Sequence, residues 1–196
     1  MTDQPDAWPM SRDMVTALEG GFQKRADDPG NWTGGEIDKG ILKGTKFGIS
    51  AASYPGLEIE ALTLDQAIAI YKRDYYDVLN CGGMPVRFAL AAFDGSILQG
   101  PDQTAFCLQR ALGTAQDGKI DAAGAAMKAM WEAEQDPKDG ALVRFLAQRA
   151  EAEDKIFIRR PAMIVWAGNW ELRMFKIARA VFGPELRKPA GGTLNG

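Results

Sequence analysis

The sequence contains no histidine. That single absence removes Ser-His-Asp hydrolases, Cys-His peptidases and His-ligated zinc amidases together, because each needs an imidazole as base or metal ligand. Cysteine is nearly as scarce, with Cys81 and Cys107 alone. Two thiols do not make a structural zinc site. Both stand in apolar, helix-like surroundings, so buried free thiols are the favoured reading, and a disulfide between them is allowed but not implied. No apolar run approaches the ~18 residues that a membrane span needs. There is no basic surplus either: 23 Lys and Arg stand against 26 Asp and Glu, a net charge of −3, and nothing in that balance points to nucleic acid. The start, MTDQPDAWPMSRD, lacks the basic-then-apolar order of a secretory signal. The expectation is synthesis in the cytoplasm, with delivery by other means if the substrate lies outside. What remains for hydrolytic chemistry is carboxylates, and glycoside hydrolysis is the main reaction that runs on carboxylates alone.

What is present is ample core material, 46% apolar in 196 residues, enough for one domain or two small ones packed together. Periodicity predicts a first helix from about Ser11 to Glu19, with Ser11 as N-cap, a stripe of Met14, Ala17 and Leu18, and Gly20-Gly21 as its stop. Residues 22–56 are glycine-rich and aperiodic, with short strands expected around Ile41-Leu42 and Lys46–Ile49. From Thr63 the pattern turns helical. Thr63 with Gln66 is a capping box opening a helix that closes at Asn80-Cys81-Gly82-Gly83. VRFALAAFDGSIL reads as a buried helix, followed by helices from Asp102 to a Gly113 stop, over Ala122–Glu134, from Pro137 to Arg160, and from Trp170 to Phe182. The tail from Gly183 reads as mobile.

Glu19 is the residue to weigh. A carboxylate at a helix C-terminus faces the negative end of the dipole, and Leu18 and Phe22 add apolar surroundings; both raise its pKa, as a general acid requires. Taken alone, E-G-G is a weak pattern, and an exposed helix-end residue with a glycine cap is the commoner explanation. Asp28, before Pro29-Gly30, is a natural turn starter and also a candidate second carboxylate. Thr45 carries a hydroxyl that could hold a water or a sugar hydroxyl. Trp32 and Phe47 suit either pyranose stacking or core packing. Glu36 and Asp38 read as solvated loop charges, Asp94 as a hydrogen-bonded core carboxylate, and Tyr71, Tyr75 and Tyr76 as core and groove lining.

Five blocks in order carry a family resemblance. LEGGF (Leu18–Phe22), DDPGNWTGG (Asp27–Gly35), GTKFGIS (Gly44–Ser50), YKRDYYDVLNCGGMP (Tyr71–Pro85) and FALAAFDGSILQG (Phe88–Gly100) resemble glycoside hydrolase family 108, the N-acetylmuramidases of phage endolysins and secretion-activator proteins. AFCLQRALG, QDGKI and WAGNWELRMFKIARA are similar to the predicted peptidoglycan-binding domain that accompanies it, so the likeness spans about residues 12–183. Tyr76 stands where tryptophan is common and Leu98 where asparagine is common; both positions look structural.

The resemblance implies a mainly α, lysozyme-like helical fold with a small loop or β element at the cleft. It implies a muramidase domain over residues 9–99, a helical peptidoglycan-binding-like domain over 100–184, and a flexible tail over 185–196. It places Glu19 at the catalytic glutamate, Asp28 in the D-P-G turn, and Thr45 with Gly48-Ile49 in a T-x-x-G-I element. Gly20, Gly21, Trp32 and Phe47 are the substrate-binding candidates. The implied activity is cleavage of the β-1,4 bond between N-acetylmuramic acid and N-acetylglucosamine. No metal or organic cofactor is called for. The partner is peptidoglycan, with no nucleic acid and no membrane segment, and the chain is expected to be a monomer. It would act on the wall after holin-type release or from a virion. A lytic transglycosylase using the same Glu19, and a non-catalytic wall-binding or virion component, are the alternatives.

Overall fold

The computed structural model describes residues 6–16 and 21–187. The chain is mainly helical with one two-stranded sheet, so the mainly α, lysozyme-like class and its small β element stand as expected. By packing it forms two compact units, residues 12–73 and residues 6–11 with 74–187. The boundary expected from resemblance lies near Gly100 instead. Packing and resemblance are different criteria: α3 (Val86–Gln99), on the N-terminal side of Gly100, packs on helices that follow it.

Helix α1 covers Trp8–Thr16, three residues ahead of the expected start. Asp6 Oδ1 accepts from Trp8 N at 3.0 Å and so does the work assigned to Ser11, which lies inside the helix with its side chain fully buried. The expected continuation through Ala17, Leu18 and Glu19 and the stop at Gly20 fall outside the described residues.

Within residues 12–73, strands β1 (Thr45–Lys46) and β2 (Ile49–Ser50) form an antiparallel hairpin with Thr45 opposite Ser50 and Lys46 opposite Ile49. The strand expected around Lys46–Ile49 is therefore split: Lys46 and Ile49 lie in the two strands, and Phe47-Gly48 between them is the hairpin turn. Phe47 (φ 52°) and Gly48 (φ 77°) are both left-handed, as the two-residue turn matching strand twist requires. Leu42 pairs instead with Trp32 through an isolated bridge. Helix α2 (Leu64–Tyr71) opens with the expected capping box: Thr63 Oγ1 accepts from Gln66 N, and Gln66 Oε1 accepts from Thr63 N. After Tyr71 the helix widens into a π turn over Lys72–Tyr76 and tightens into a 3₁₀ turn over Asp77–Leu79, ending at left-handed Asn80.

In the other unit, α3 is apolar all round and buried, flanked by α4 (Pro101–Leu112), α6 (Gly140–Arg159) and α7 (Ala167–Phe182). α5 (Ala125–Ala133) lies against α4 and α6. Gly113 ends α4 in the left-handed conformation, φ 71°, as expected. Asp94, on this apolar helix, is fully buried and ionically matched: Arg149 Nη2 reaches Oδ2 at 2.6 Å and Arg173 Nε reaches Oδ1 at 2.5 Å. Gly95 beside it supplies room, because a Cβ there would stand 2.8 Å from Arg149 Nε. Tyr76 closes an aromatic trio with Trp8 (ring centroids 5.0 Å) and Phe93 (5.8 Å), consistent with a structural position. Both cysteines are buried and free. The expected mobile tail begins with a short helix α8, Pro184–Arg187; residues 188–196 fall outside those described. No helix among the described residues is long and apolar enough to cross a membrane.

Candidate functional site

The glycine-rich segment after Glu19 is tied down by backbone bonds that regular secondary structure does not supply. Gln23 and Thr45 exchange backbone bonds at 2.9 and 2.8 Å. A 3₁₀ turn over Pro29–Asn31 begins at Asp28, whose Oδ1 accepts from Gly30 N at 2.9 Å, with Pro29 in the first position. The Asn31 carbonyl accepts from both Lys43 N (2.9 Å) and Gly44 N (3.0 Å), and Gly30 O accepts from Ala52 N at 3.0 Å. The loop around Asp28 and the hairpin carrying Thr45 are thus stitched into one platform.

Two side-chain amides lock that platform. Gln23 Nε2 donates to Asn31 Oδ1 at 3.0 Å while Asn31 Nδ2 donates to Gln23 Oε1 at 2.8 Å, a closed amide pair. The remaining hydrogens go to Asp28 Oδ2 (3.1 Å) from Gln23 and to the Arg25 carbonyl (2.8 Å) from Asn31. Gln23 Oε1 also accepts from Arg25 N at 3.1 Å. All four N–H hydrogens of the pair are used, and the fixed partners Arg25 N and Arg25 O decide which way round each amide lies. Asn31 Oδ1 has one more donor, the Thr45 hydroxyl at 2.8 Å.

The consequence for chemistry is directional. Thr45 spends its proton on Asn31 and is left with oxygen lone pairs to accept a bond from a water or sugar hydroxyl. Asp28 accepts one bond at each carboxylate oxygen and keeps further lone pairs for a water. Its neighbour Asp27 is committed elsewhere, to an exposed pair with Arg25 at 2.6 Å, and that hydrogen bond holds its carboxyl below the usual range.

The structure brings Asp28 and Thr45 into one network, joined by Gln23 and Asn31. Sequence reasoning missed both amides. Asn31 is fully buried, and its place directly after the D-P-G turn is the one mark the sequence gives it. Trp32 and Phe47 lie outside the network. The Trp32 indole N–H donates to the Ala26 carbonyl at 2.9 Å, and Phe47 presents its carbonyl to the Tyr71 hydroxyl at 3.0 Å while Lys46 Nζ stands 5.4 Å from its ring centroid. Both rings are half-buried. Glu36 pairs with Lys39 at 2.7 Å on the surface and Asp38 takes a left-handed turn (φ 62°), so both are exposed loop charges as expected. Gly21 is exposed, and among the described residues no atom stands within 4 Å of where a Cβ would lie. Glu19 and Gly20 lie outside the described residues. No three of His, Cys, Asp and Glu cluster as metal ligands among the described residues.

Residues 12–100 match the family model described as Glycosyl hydrolase 108. Among solved structures, SagA of Brucella abortus superposes with a TM-score of 0.69 at 20% identity, over 93% of this chain and 97% of that one. At that identity the likeness speaks for the fold, and it extends through both halves of the sequence. No curated protein matches this chain.

Proposed function

We propose that this chain, whose residues 12–100 match the glycosyl hydrolase 108 model, is a glycosidase that hydrolyses peptidoglycan between N-acetylmuramic acid and N-acetylglucosamine, with Glu19 as general acid. Glu19 gives its proton to the glycosidic oxygen as the bond breaks through an oxocarbenium-like transition state. A water held by Thr45 and Asp28 attacks the sugar and completes the cleavage. Gly20 and Gly21 let the strand approach, and Trp32 and Phe47 flank the sugars.

The observation that carries this reading is the Gln23–Asn31 amide pair. It holds Asp28 and Thr45, the two groups assigned to the water, in one rigid network within a segment that would otherwise be a loose loop. Asp28 and Thr45 both keep acceptor capacity for a water, the task of the second group in a single displacement with inversion, and this chemistry is preferred here to a covalent intermediate. A sequence without histidine is also in keeping with glycoside hydrolysis, which runs on carboxylates.

The test is Glu19→Gln, which keeps size and hydrogen-bonding shape but removes the transferable proton. Turbidity loss of permeabilised cells is expected to fall by roughly 10²–10⁴ at unchanged circular dichroism. Activity within about tenfold of the unaltered chain would reject the assignment. Mass analysis of wild-type products should give reducing ends; anhydro-sugars would mark a transglycosylase instead.

A further inference from the structure

Charge is unevenly divided along the chain. Of its 23 Lys and Arg and 26 Asp and Glu, residues 155–188 hold eight and two, a net of +6, and the rest hold 15 and 24, a net of −9. The basic stretch begins in the last turns of α6, reverses through a 3₁₀ segment at Pro161–Trp166, and runs along α7. It also carries the three most exposed large apolar side chains among the described residues: Ile158 at 76%, Val165 at 75% and Phe175 at 73%. Ile164 and Leu172, between them in sequence, are more than half exposed. Apolar residues scattered singly over a surface are ordinary; several gathered in one short stretch mark an interaction site.

The helices show that these side chains face outward. Ile177 and Val181 of α7 are buried, and α7 packs on α3. At 3.6 residues per turn Leu172, Phe175 and Arg179 fall on the opposite side, and all three are exposed. α7 is thus apolar on its outward face as well as its inward one, whereas a surface helix needs only the inward stripe. Ile158 likewise stands opposite the fully buried Phe145 and Arg149 of α6. The charges nearby are unspent. Arg159, Arg160, Lys176 and Arg179 are exposed, and none of these side chains has an ion-pair or hydrogen-bond partner among the described residues. Lys155 is taken by Glu151 at 2.8 Å and Arg173 by Asp94, and Glu171 is the exposed acid on α7.

Isoleucine, valine and leucine side chains offer no hydrogen bond to a sugar or a peptide backbone; a hydrocarbon phase suits them. Free cations beside them suit a phase with an anionic boundary. A two-fold pairing of copies through this face would set its positive charge against itself. We propose that residues 158–179 form a docking surface for an anionic lipid bilayer. The five apolar side chains enter the boundary between headgroups and acyl chains, and the four free cations meet the lipid phosphates. No helix among the described residues is long and apolar enough to cross a membrane, so the contact is with the bilayer surface. It lies within the unit that contains residues 74–187 and draws on neither Asp28 and Thr45 nor the function proposed above.

The test mixes the full chain with vesicles of phosphatidylglycerol and phosphatidylethanolamine, or of phosphatidylcholine alone, and reads bound protein by sedimentation. Binding is expected on the anionic vesicles, falling as salt is raised, and at least tenfold weaker on phosphatidylcholine. Each basic residue near such a surface adds roughly fivefold to the partition, so Lys176→Gln with Arg179→Gln should weaken binding at least tenfold. Leu172→Ala with Phe175→Ala should weaken it at least tenfold as well, through lost apolar burial. All four residues are exposed, so both double variants should melt as the unaltered chain does, which separates lost docking from lost fold. The proposal is overturned if anionic vesicles bind no protein or if both vesicle types bind alike. It is also overturned if Leu172→Ala, Phe175→Ala binds normally or if soluble glycerol phosphate at the lipid's concentration displaces the chain, since either reduces the contact to charge on any anion. Self-association that the same variant abolishes, without vesicle binding, would assign the face to a second copy and reject the bilayer. Vesicle binding and wall cleavage are read separately, so either proposal can fail without the other.

Discussion

Replacing Asn31 by aspartate tests the platform at its centre. In Asn31→Asp the introduced carboxyl keeps the amide's size and still accepts from Thr45 Oγ1 and Gln23 Nε2. Its second oxygen, however, replaces a nitrogen that donates to Gln23 Oε1 and Arg25 O, both at 2.8 Å. Three acceptors then face one another. Turning Gln23 over gives no relief, because its oxygen would point at Asp28 and at position 31 while Arg25 N lost its acceptor. Each buried group left unsatisfied costs ~1–3 kcal/mol, so the two lost bonds should cost about 3 kcal/mol with the carboxyl charged. That is roughly a hundredfold in the unfolding equilibrium. Protonation restores one donor, so the introduced carboxyl has a folded-state pKa above its unfolded value of ~3.9. The proton-linked stabilisation is then fully present below the unfolded pKa and is lost as pH rises through the folded one. The variant's deficit should therefore be smaller near pH 4 than at pH 7. Urea unfolding by circular dichroism at both pH values, each against the unaltered chain, measures it. Hydrogen exchange at the Lys43 and Gly44 amides, which bond the Asn31 carbonyl, localises it. A deficit below about 0.5 kcal/mol at pH 7, or the same deficit at both pH values, would refute the reasoning.

Three further outcomes are expected. Gly48→Ala should lower the melting temperature, because Gly48 is left-handed at φ 77° and an added methyl would overlap the Tyr71 hydroxyl; with Tyr71→Phe already in place the cost should shrink by at least ~0.5 kcal/mol in a double-mutant cycle, and strict additivity would exclude that contact as the cause. Asp94→Ala leaves the fully buried Arg149 with Glu153 alone, at 3.9 Å, and takes from Arg173 the carboxylate it reaches, so it should cost ~3 kcal/mol by denaturant titration, and a loss under ~1 kcal/mol would show the pair to be dispensable. Burial pushes both cysteine thiols up from their ordinary pKa, keeping them neutral at pH 8; neither should react with Ellman's reagent until guanidinium is added, and native reaction at the rate of free cysteine would contradict their burial.

Much of the helical half was legible because its signals are local. Thr63 and Gln66 lie three residues apart, Gly113 sits directly after its helix, and α3 is apolar at every turn. The candidate site was legible only in part. Asp28 and Thr45 could be marked by residue type and resemblance, but the groups that join them could not. Gln23 and Asn31 are eight residues apart in an aperiodic loop, and amide pairing leaves no trace in composition or spacing. Asp94 read correctly as a core carboxylate, yet its partners come from 55 and 79 residues away. Gly95 looks like a weak point in a helix until Arg149 is seen to need its space. The hairpin tip misread as strand has phenylalanine at φ 52°, a residue type that gives no turn signal; the backbone is held there by the Tyr71 hydroxyl on its carbonyl. Ser11 lost its role as cap to Asp6, since either side chain can satisfy the first turn and only tertiary packing chooses.

The Gln23–Asn31 pair also decides how this chain's pH–rate curve is to be read. Neither amide takes up or releases a proton between pH 2 and 12, roughly, so the framework that aims Thr45 stays the same across the whole working range. The sequence has no imidazole to titrate between roughly pH 5 and 8. An inflection in turnover on the acid side of that window, below the range of the α-amino group, therefore reports a carboxylate in an unusual setting, free of the histidine background that blurs such curves in other hydrolases. Comparing the curve of the unaltered chain with that of Asp28→Asn would then assign each limb to its own carboxylate.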